Sequence, residues 1–169
     1  MLDVRDSIEQ LIKEQKIDRA RFFEVSKHSY KQIIKKIEYV FVDKSMRWDN
    51  GIHWANMGNY NPKLNWTGIL LKGWDDWMAE LPYIIPNSND AMYILFEGRT
   101  KYWLYEAFIS ELTSILGEIE EPGDFYIVSK KIDWLISLNH HNYISYVGDN
   151  LNLNIALPQL TNKTDAPSC

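Results

Sequence analysis

The sequence predicts an α+β fold in which an antiparallel sheet of about five strands carries helices packed on one side. Apolar residues recur at helical spacing near the N-terminus, and segments rich in aromatic and aliphatic residues cluster after residue 90. Only short turns separate most of these later segments, and short turns join antiparallel strands. N-terminal helices and one further helix should therefore pack on one side of this sheet.

Two helices are predicted in the N-terminal part. The first runs from Asp3, an acceptable N-cap, to Lys16, because its apolar residues keep helical spacing. The second runs from about Tyr30 to Val42, and Ser29 and Gln32 stand before and within its first turn as in a capping box. Between the two helices, the segment Asp18 to Val25 predicts one or two further helical turns.

The middle of the chain, residues 43 to 73, combines turn-forming pairs with several tryptophans. Within it, Thr67 to Lys72 has the composition of a short strand. After Gly73, Trp74, Trp77 and Met78 recur at helical spacing. They predict a short helix that Pro82 ends, since proline lacks the backbone N–H that a helix interior requires.

The later part of the chain predicts the sheet. Ala91 to Glu97 and Lys101 to Glu106 form a hairpin, and a helix from about Ala107 to Ile119 follows it. Three more strands are expected at residues 124–128, 134–138 and 143–147, and Ser129 is expected to cap a single helical turn after the first of them. Residues 1–150 are predicted to form a single domain and residues 151–169 a partly ordered C-terminal tail.

Composition restricts the function. The net charge of −5 disfavours a nucleic-acid partner, because such binding depends on cations facing phosphates. The basic pairs Lys35-Lys36 and Lys130-Lys131 are interpreted as parts of solvated faces. The single cysteine, Cys169, excludes an intramolecular disulfide. Neither a signal-peptide pattern nor an apolar run of roughly 18 residues is present, which predicts a cytoplasmic protein without a membrane partner.

Histidines provide the first candidate site. His140 and His141 are adjacent, and imidazole is both a common metal ligand and the usual acid–base group near neutral pH. His53 and Asp133 could converge on this pair only through the fold. A metal site requires three or four converging ligands, so these weak catalytic candidates are better explained as a turn pair. We predict no metal and no cofactor, since the sequence lacks the nucleophile, phosphate-loop and dinucleotide motifs.

Aromatic residues provide the second candidate site. Trp48, Trp54, Tyr60 and Trp66 lie in the turn-rich middle, where exposed rings would supply rigid contact area for a partner or stack on sugars. Core packing is the alternative, and for Trp48 and Trp54 the sequence favours neither. Burial is favoured for the helical group around Trp74, because its rings share one face.

Several segments resemble a family of small uncharacterised bacterial proteins. The resemblance is carried by residues 124–142, with the pattern YIVSKKxxWLIxxNHH, followed by Gly148. A strand of the form KYWLYE at residues 101–106 and the pair Arg47-Trp48 extend it over most of residues 30 to 148. Leu138 departs from the family pattern, which has an acidic or polar residue before Asn-His-His.

The resemblance implies no established activity. In size and acidity the family is similar to immunity proteins, which neutralise toxins in bacterial competition. We therefore predict a non-enzymatic, immunity-like domain that masks a toxin-like protein partner through an acidic and aromatic surface. The alternatives are a small hydrolase or metal-dependent enzyme that uses His140 and His141, and a carbohydrate-binding module that uses Trp48 and Trp54.

Overall fold

The computed structural model describes residues 3–43, 61, 63–71, 73–99, 101–119, 122–148 and 150–152. Four helices are present within these residues: α1 (Val4–Glu14), α2 (Lys27–Phe41), α3 (Trp74–Ile84) and α4 (Ile109–Glu118). The same residues contain seven strands: β1 (Phe22–Glu24), β2 (Thr67–Leu70), β3 (Met92–Glu97), β4 (Tyr102–Ala107), β5 (Phe125–Ser129), β6 (Leu135–Leu138) and β7 (Tyr143–Val147).

The strands form one antiparallel sheet in the order β1-β4-β3-β5-β6-β7-β2. The α+β class and the antiparallel pairing are therefore confirmed, and the five predicted strands are all present. The predicted number of about five is too low, because the edge strands β1 and β2 complete the sheet. Strand β2 lies within the segment Thr67 to Lys72, whose composition indicated a short strand. Of the one or two helical turns expected between Asp18 and Val25, a single turn is present, in which Arg21 and Phe22 donate to the Asp18 carbonyl. From Phe22 the segment is instead the strand β1, in which Phe22 pairs with Ala107 and is fully buried.

Helices cover both faces of the sheet, so the predicted one-sided packing is wrong. Alternate residues of β3 point in opposite directions, and Ile94 packs with α1, α3 and α4 whereas Leu95 packs with α2. All five residues of β5 are buried, as expected for a strand enclosed from two sides. The core is therefore divided by the sheet into two layers, and α2 contributes Ile34, Ile37 and Phe41 to the second.

Four local predictions also need correction. Helix α2 begins at Lys27 with Ser26 as N-cap, one turn before the predicted capping box at Ser29. Helix α3 continues through Pro82 to Ile84. The cost of one missing hydrogen bond near its end is offset by the burial of Leu81 and Ile84. Ala107 is the last residue of β4 rather than the start of α4.

The fourth correction concerns Ser129, which is the last residue of β5 and does not cap a helical turn. Its hydroxyl instead closes the turn between β5 and β6. Ser129 Oγ accepts the backbone N–H of Asp133 at 2.9 Å and donates to Asp133 Oδ1 at 2.5 Å. These side-chain bonds add to two backbone bonds of the turn, from Ile132 N–H to the Ser129 carbonyl at 3.0 Å and from Ser129 N–H to the Trp134 carbonyl at 3.2 Å.

Two further observations concern the ends of the fold and its surroundings. Leu151 is buried, and the backbone N–H of Asn152 donates to the carbonyl of Ile84 at 2.8 Å, so the chain after β7 packs on the end of α3. No helix in the described ranges combines the length and the hydropathy that a membrane crossing requires.

Candidate functional site

His140 lies in the turn between β6 and β7 and is held by Asp124. One carboxylate oxygen of Asp124, Oδ1, accepts the backbone N–H of His140 at 2.7 Å and lies 2.9 Å from its ring Nδ1. Asp124 is only 3% exposed, whereas the His140 side chain is 64% exposed. The ring of His141 lies 3.9 Å from that of His140 between centroids. A buried carboxylate therefore positions one imidazole whose ring faces solvent.

Asparagines form the other hydrogen bonds of this turn. Asn139 Oδ1 accepts the backbone N–H groups of His141 and Tyr143, each at 3.0 Å. The backbone N–H of Asn142 donates to the Asn139 carbonyl at 2.9 Å, and Asn142 has a φ of 56°, which asparagine tolerates better than most residues. These bonds support the interpretation of the two histidines as a turn pair.

Asp133 does not join the histidines. It precedes β6, whereas His140 follows β6, so the strand separates the two side chains. Asp124, which sequence reasoning missed, is the acid that meets His140; its only signal was an isolated acid directly before an apolar strand. Leu138, where the sequence departs from the family pattern, is buried on β6. No cluster of three or more metal-ligating side chains occurs within the described residues.

Of the four predicted aromatic binding residues, only Trp66 lies within the described residues; Trp48, Trp54 and Tyr60 lie outside them, as does His53. The Trp66 ring is half-buried and meets Phe41 edge-on at 6.4 Å. Its Nε1 donates to the Asn61 carbonyl at 3.2 Å. Trp66 therefore packs against the α2 layer rather than forming a free platform.

The helical aromatic group is part of the core, as predicted. Trp77 is buried and donates from Nε1 to the Tyr146 hydroxyl at 3.1 Å. Burial raises the pKa of Tyr146 to about 12. Trp74 and Met78 are partly buried beside it. The perturbed phenol is therefore explained by core packing.

A second buried phenol, Tyr105, belongs to a structural network that attaches α1 to the sheet. Its hydroxyl donates to Glu9 Oε1 at 3.2 Å, and Arg19 binds the other Glu9 oxygen at 2.8 Å. Burial and the nearby Glu9 charge raise the pKa of Tyr105. Burial opposes ionisation of Glu9, but the Arg19 hydrogen bond and charge leave its pKa lowered. Each group in this network has its partner, so we assign it to stability.

The sheet separates the helices by charge. Counting Asp, Glu, Lys and Arg, α1 carries −1, α3 carries −3 and α4 carries −2, a total of −6 on one face. Helix α2, on the opposite face, has four lysines and one glutamate and carries +3. The acidic chain therefore presents a locally basic helix to solvent.

A concave surface lies between α2 and the turn from β5 to β6, and the volume within it is about 510 Å³. We call it the α2 groove. Its described lining residues are Gln32, Lys35, Lys36, Tyr39, Val40, Lys131 and Ile132. No carboxylate is among them, and Tyr39 is 64% exposed. The groove thus combines an exposed aromatic ring and apolar side chains with three cations.

The two basic pairs of the sequence meet at this groove. Lys35, Lys36 and Lys131 form no ion pair within the part of the chain that the structure describes. Lys130, in contrast, contacts Glu106 and lies 4.2 Å from the centre of the Tyr93 ring. Burial opposes its charge, but the hydrogen bond to Glu106 leaves the pKa of Lys130 raised. Three of the four lysines therefore remain available to a partner.

Ile132 occupies a strained backbone position at the edge of the groove. Its φ is 60°, in the left-handed region, where a β-branched residue is a clear outlier. The side chain packs against the α2 layer and also lines the groove. Asparagine or glycine would adopt this backbone at lower cost, so the packing of the Ile132 side chain against the α2 layer offsets the strain.

Comparison with known proteins identifies a family but no characterised relative. No curated protein and no solved structure matches the chain. The model of DUF6756, described as a family of unknown function, matches residues 1–157, which include every helix and strand described above. Because this match covers more than half of the sequence, the chain belongs to the DUF6756 family.

Proposed function

We propose that this chain is a non-enzymatic binding domain that masks a protein partner, and that the α2 groove, a basic surface rather than the acidic one expected from the sequence, is part of its binding surface. The groove carries the proposal, because it combines a concave apolar surface with cations that the described chain leaves unpaired. Tyrosine is enriched at interface cores, and Tyr39 is largely exposed here. Lysines that have no partner within the fold form interface ion pairs without breaking existing ones.

The arrangement of the titratable groups also favours binding over catalysis. Acid–base chemistry requires groups within hydrogen-bond reach of one another or of a shared substrate position. Asp133 and His140 lie at opposite ends of β6, and the buried phenol of Tyr105 is engaged with Glu9. The described side chains with perturbed pKa values thus belong to structural contacts.

The partner that we propose is a toxin-like protein of a bacterial cytoplasm. Small size and a net charge of −5 are typical of immunity proteins, which bind toxins tightly without chemistry. Charges of both signs on opposite faces of the sheet would restrict such a partner to one orientation.

A second candidate function is a small hydrolase that uses His140. The contact between buried Asp124 and His140 Nδ1 favours it, because a carboxylate commonly orients a catalytic imidazole. The sugar-binding alternative depends on Trp48 and Trp54 and stays a prediction outside the described residues.

Affinity capture from the native host tests the proposed function. The tagged full chain is compared with a Lys36→Glu, Tyr39→Ala variant and with a Lys13→Glu, Lys27→Glu control outside the groove lining. We expect a stoichiometric protein partner with the wild type and the control, and its loss with the groove variant. Circular dichroism verifies that all three are folded. Repeated captures without any stoichiometric partner would contradict the proposal, and substitution of His140 would then test the hydrolase.

A further inference from the structure

We infer that the α2 groove binds an acidic segment of a protein that inserts one large apolar side chain beside Tyr39, Val40 and Ile132. The inference rests on the proposed binding function and adds the chemistry of the bound segment. It makes two demands of the partner: carboxylates that face the lysines, and an apolar anchor that fills the concave surface.

The demand for carboxylates follows from the charges at the groove. Lys35 and Lys36 come from α2, and Lys131 comes from the turn after β5, so cations border the concave surface from two different elements. The described lining contains no acid, and none of the three lysines forms an ion pair among the described residues. An acidic segment supplies the missing counter-charges, and its approach is accelerated by the same field.

The demand for an apolar anchor follows from the residues between those lysines. Val40 and Ile132 line the concave surface, and the Tyr39 ring beside them is 64% exposed. When an apolar side chain of the partner is buried there, its surface and the apolar surface of the groove are both removed from water. This removal is the main source of affinity at interface hot spots. The volume of about 510 Å³ lies within the range of specific ligand clefts, roughly 300–1,000 Å³.

The backbone at Ile132 gives independent support. A β-branched residue with a φ of 60° is strained, and such a backbone persists only where surrounding contacts stabilise it. Packing of Ile132 against the α2 layer is one such contact, and a bound side chain in the groove would supply a second. Ile132→Asn distinguishes the two contacts. Asparagine relieves the backbone strain, which offsets the packing lost against the α2 layer, but it cannot replace the apolar contact with a bound side chain.

A protein segment fits the groove better than the other anionic partners. Nucleic acid requires cations along an extended path, whereas these three border one concavity of a chain with a net charge of −5. A bilayer surface would contact protruding side chains and leave a concave apolar surface unfilled. The combination of a recessed apolar surface and neighbouring cations therefore favours a short acidic peptide with one anchor.

Peptide titration tests the inference without knowledge of the natural partner. The probes are octapeptides in which Glu and Asp flank one Leu, Phe or Trp; matched controls replace the anchor with Gly or the acids with Lys. Binding is measured by fluorescence anisotropy and by amide chemical shifts of the full chain. We expect saturable shifts around Gln32 and Tyr39, weaker binding at higher salt, and no binding of the lysine control.

Variants make the test specific. Lys36→Glu with Lys131→Glu should weaken binding about tenfold or more, whereas Lys13→Glu with Lys27→Glu, two positions outside the groove lining, should leave it nearly unchanged. Ile132→Asn should weaken binding while the melting temperature changes little. Absence of saturable shifts with any anchor, or equal binding of the anchorless peptide, would overturn the inference. Stronger binding to phosphatidylserine vesicles or to poly(U) would overturn it in favour of a membrane or a nucleic acid.

Failure of the inference and failure of the proposed function give different results. If a protein partner is still captured by the Lys36→Glu, Lys131→Glu variant, the chain binds proteins through another surface. The inference and the assignment of the groove then fail, while the binding function stands. If the acidic peptides bind at the groove but no protein is captured, the chemistry of the groove stands and the proposed function fails.

Discussion

Replacement of Asp124 by alanine should destabilise the fold by about 2 kcal/mol. The carboxylate accepts the backbone N–H of His140 at 2.7 Å from a site that is only 3% exposed. A hydrogen bond to a charged group contributes about 1.5–3 kcal/mol, and its loss leaves a backbone donor without an acceptor. The His140 ring is 64% exposed, so its contact with the same oxygen should contribute less than about 1 kcal/mol. The cost should therefore arise from the turn and not from the imidazole.

Urea denaturation of four proteins measures these contributions: the wild type, Asp124→Ala, His140→Ala and the double variant. Asp90→Ala, which removes an exposed acid, controls for the change in net charge and should remain within about 0.5 kcal/mol of the wild type. We expect a coupling energy between Asp124 and His140 of less than about 1 kcal/mol. A coupling as large as the full effect of Asp124→Ala would refute the argument and would strengthen the hydrolase candidate.

Two other changes test the fold. Gly148→Ala should destabilise the fold by about 3 kcal/mol or more, because φ is 124° and a Cβ would lie 2.3 Å from the Trp134 Cβ. Gly117→Ala, in an exposed helical position with free space, should stabilise the fold by about 0.5–1 kcal/mol. Melting temperatures equal to that of the wild type would contradict both predictions. Burial opposes ionisation of Glu111, but hydrogen bonds from Arg21 and Ser110 leave its pKa lowered, so its stabilisation is present above the ordinary value of 4.5 and is lost as pH falls through the folded-state pKa. The difference in melting temperature between wild type and Glu111→Gln should shrink from pH 6 towards pH 3, and a constant difference would exclude this linkage.

Strands were the most predictable part of the fold, because each buried run is bounded by turn residues. The packing around them was not predicted correctly, although the sequence contains a signal for it. In β3 and β5 every position from Met92 to Phe96 and from Phe125 to Ser129 is buried, and a strand with one solvated face would alternate with polar residues. The uninterrupted apolar runs therefore indicated helices on both faces.

The segment that became β1 could not be assigned locally. Phe22 and Phe23 are adjacent, which is compatible with a helical face as well as with a strand whose side chains alternate. In the structure Phe22 is fully buried and Phe23 is 36% exposed, the alternation of an edge strand. Only pairing with β4, more than eighty positions away in sequence, decides between the two.

The candidate sites were less predictable than the fold, because each depends on long-range contacts. Asp124 and His140 meet across neighbouring strand ends, and a single acid before a strand gives no local indication of this. Lys35-Lys36 and Lys131 were interpreted correctly as exposed, but their meeting at one groove depends on the packing of α2 over the turn after β5. Spacing in sequence reports neighbours along one helix or strand and not across the sheet.

The division of charge by the sheet explains how a chain with a net charge of −5 presents a basic surface. Helices α1, α3 and α4 carry −6 in total on one face, and α2 carries +3 on the other. The sheet and its two core layers lie between the two groups, and exposed charges farther apart than the Debye length of about 8 Å at physiological salt are largely screened from each other. The acidic helices therefore do not neutralise the α2 groove, and a partner that approaches this face meets the local charge rather than the net charge.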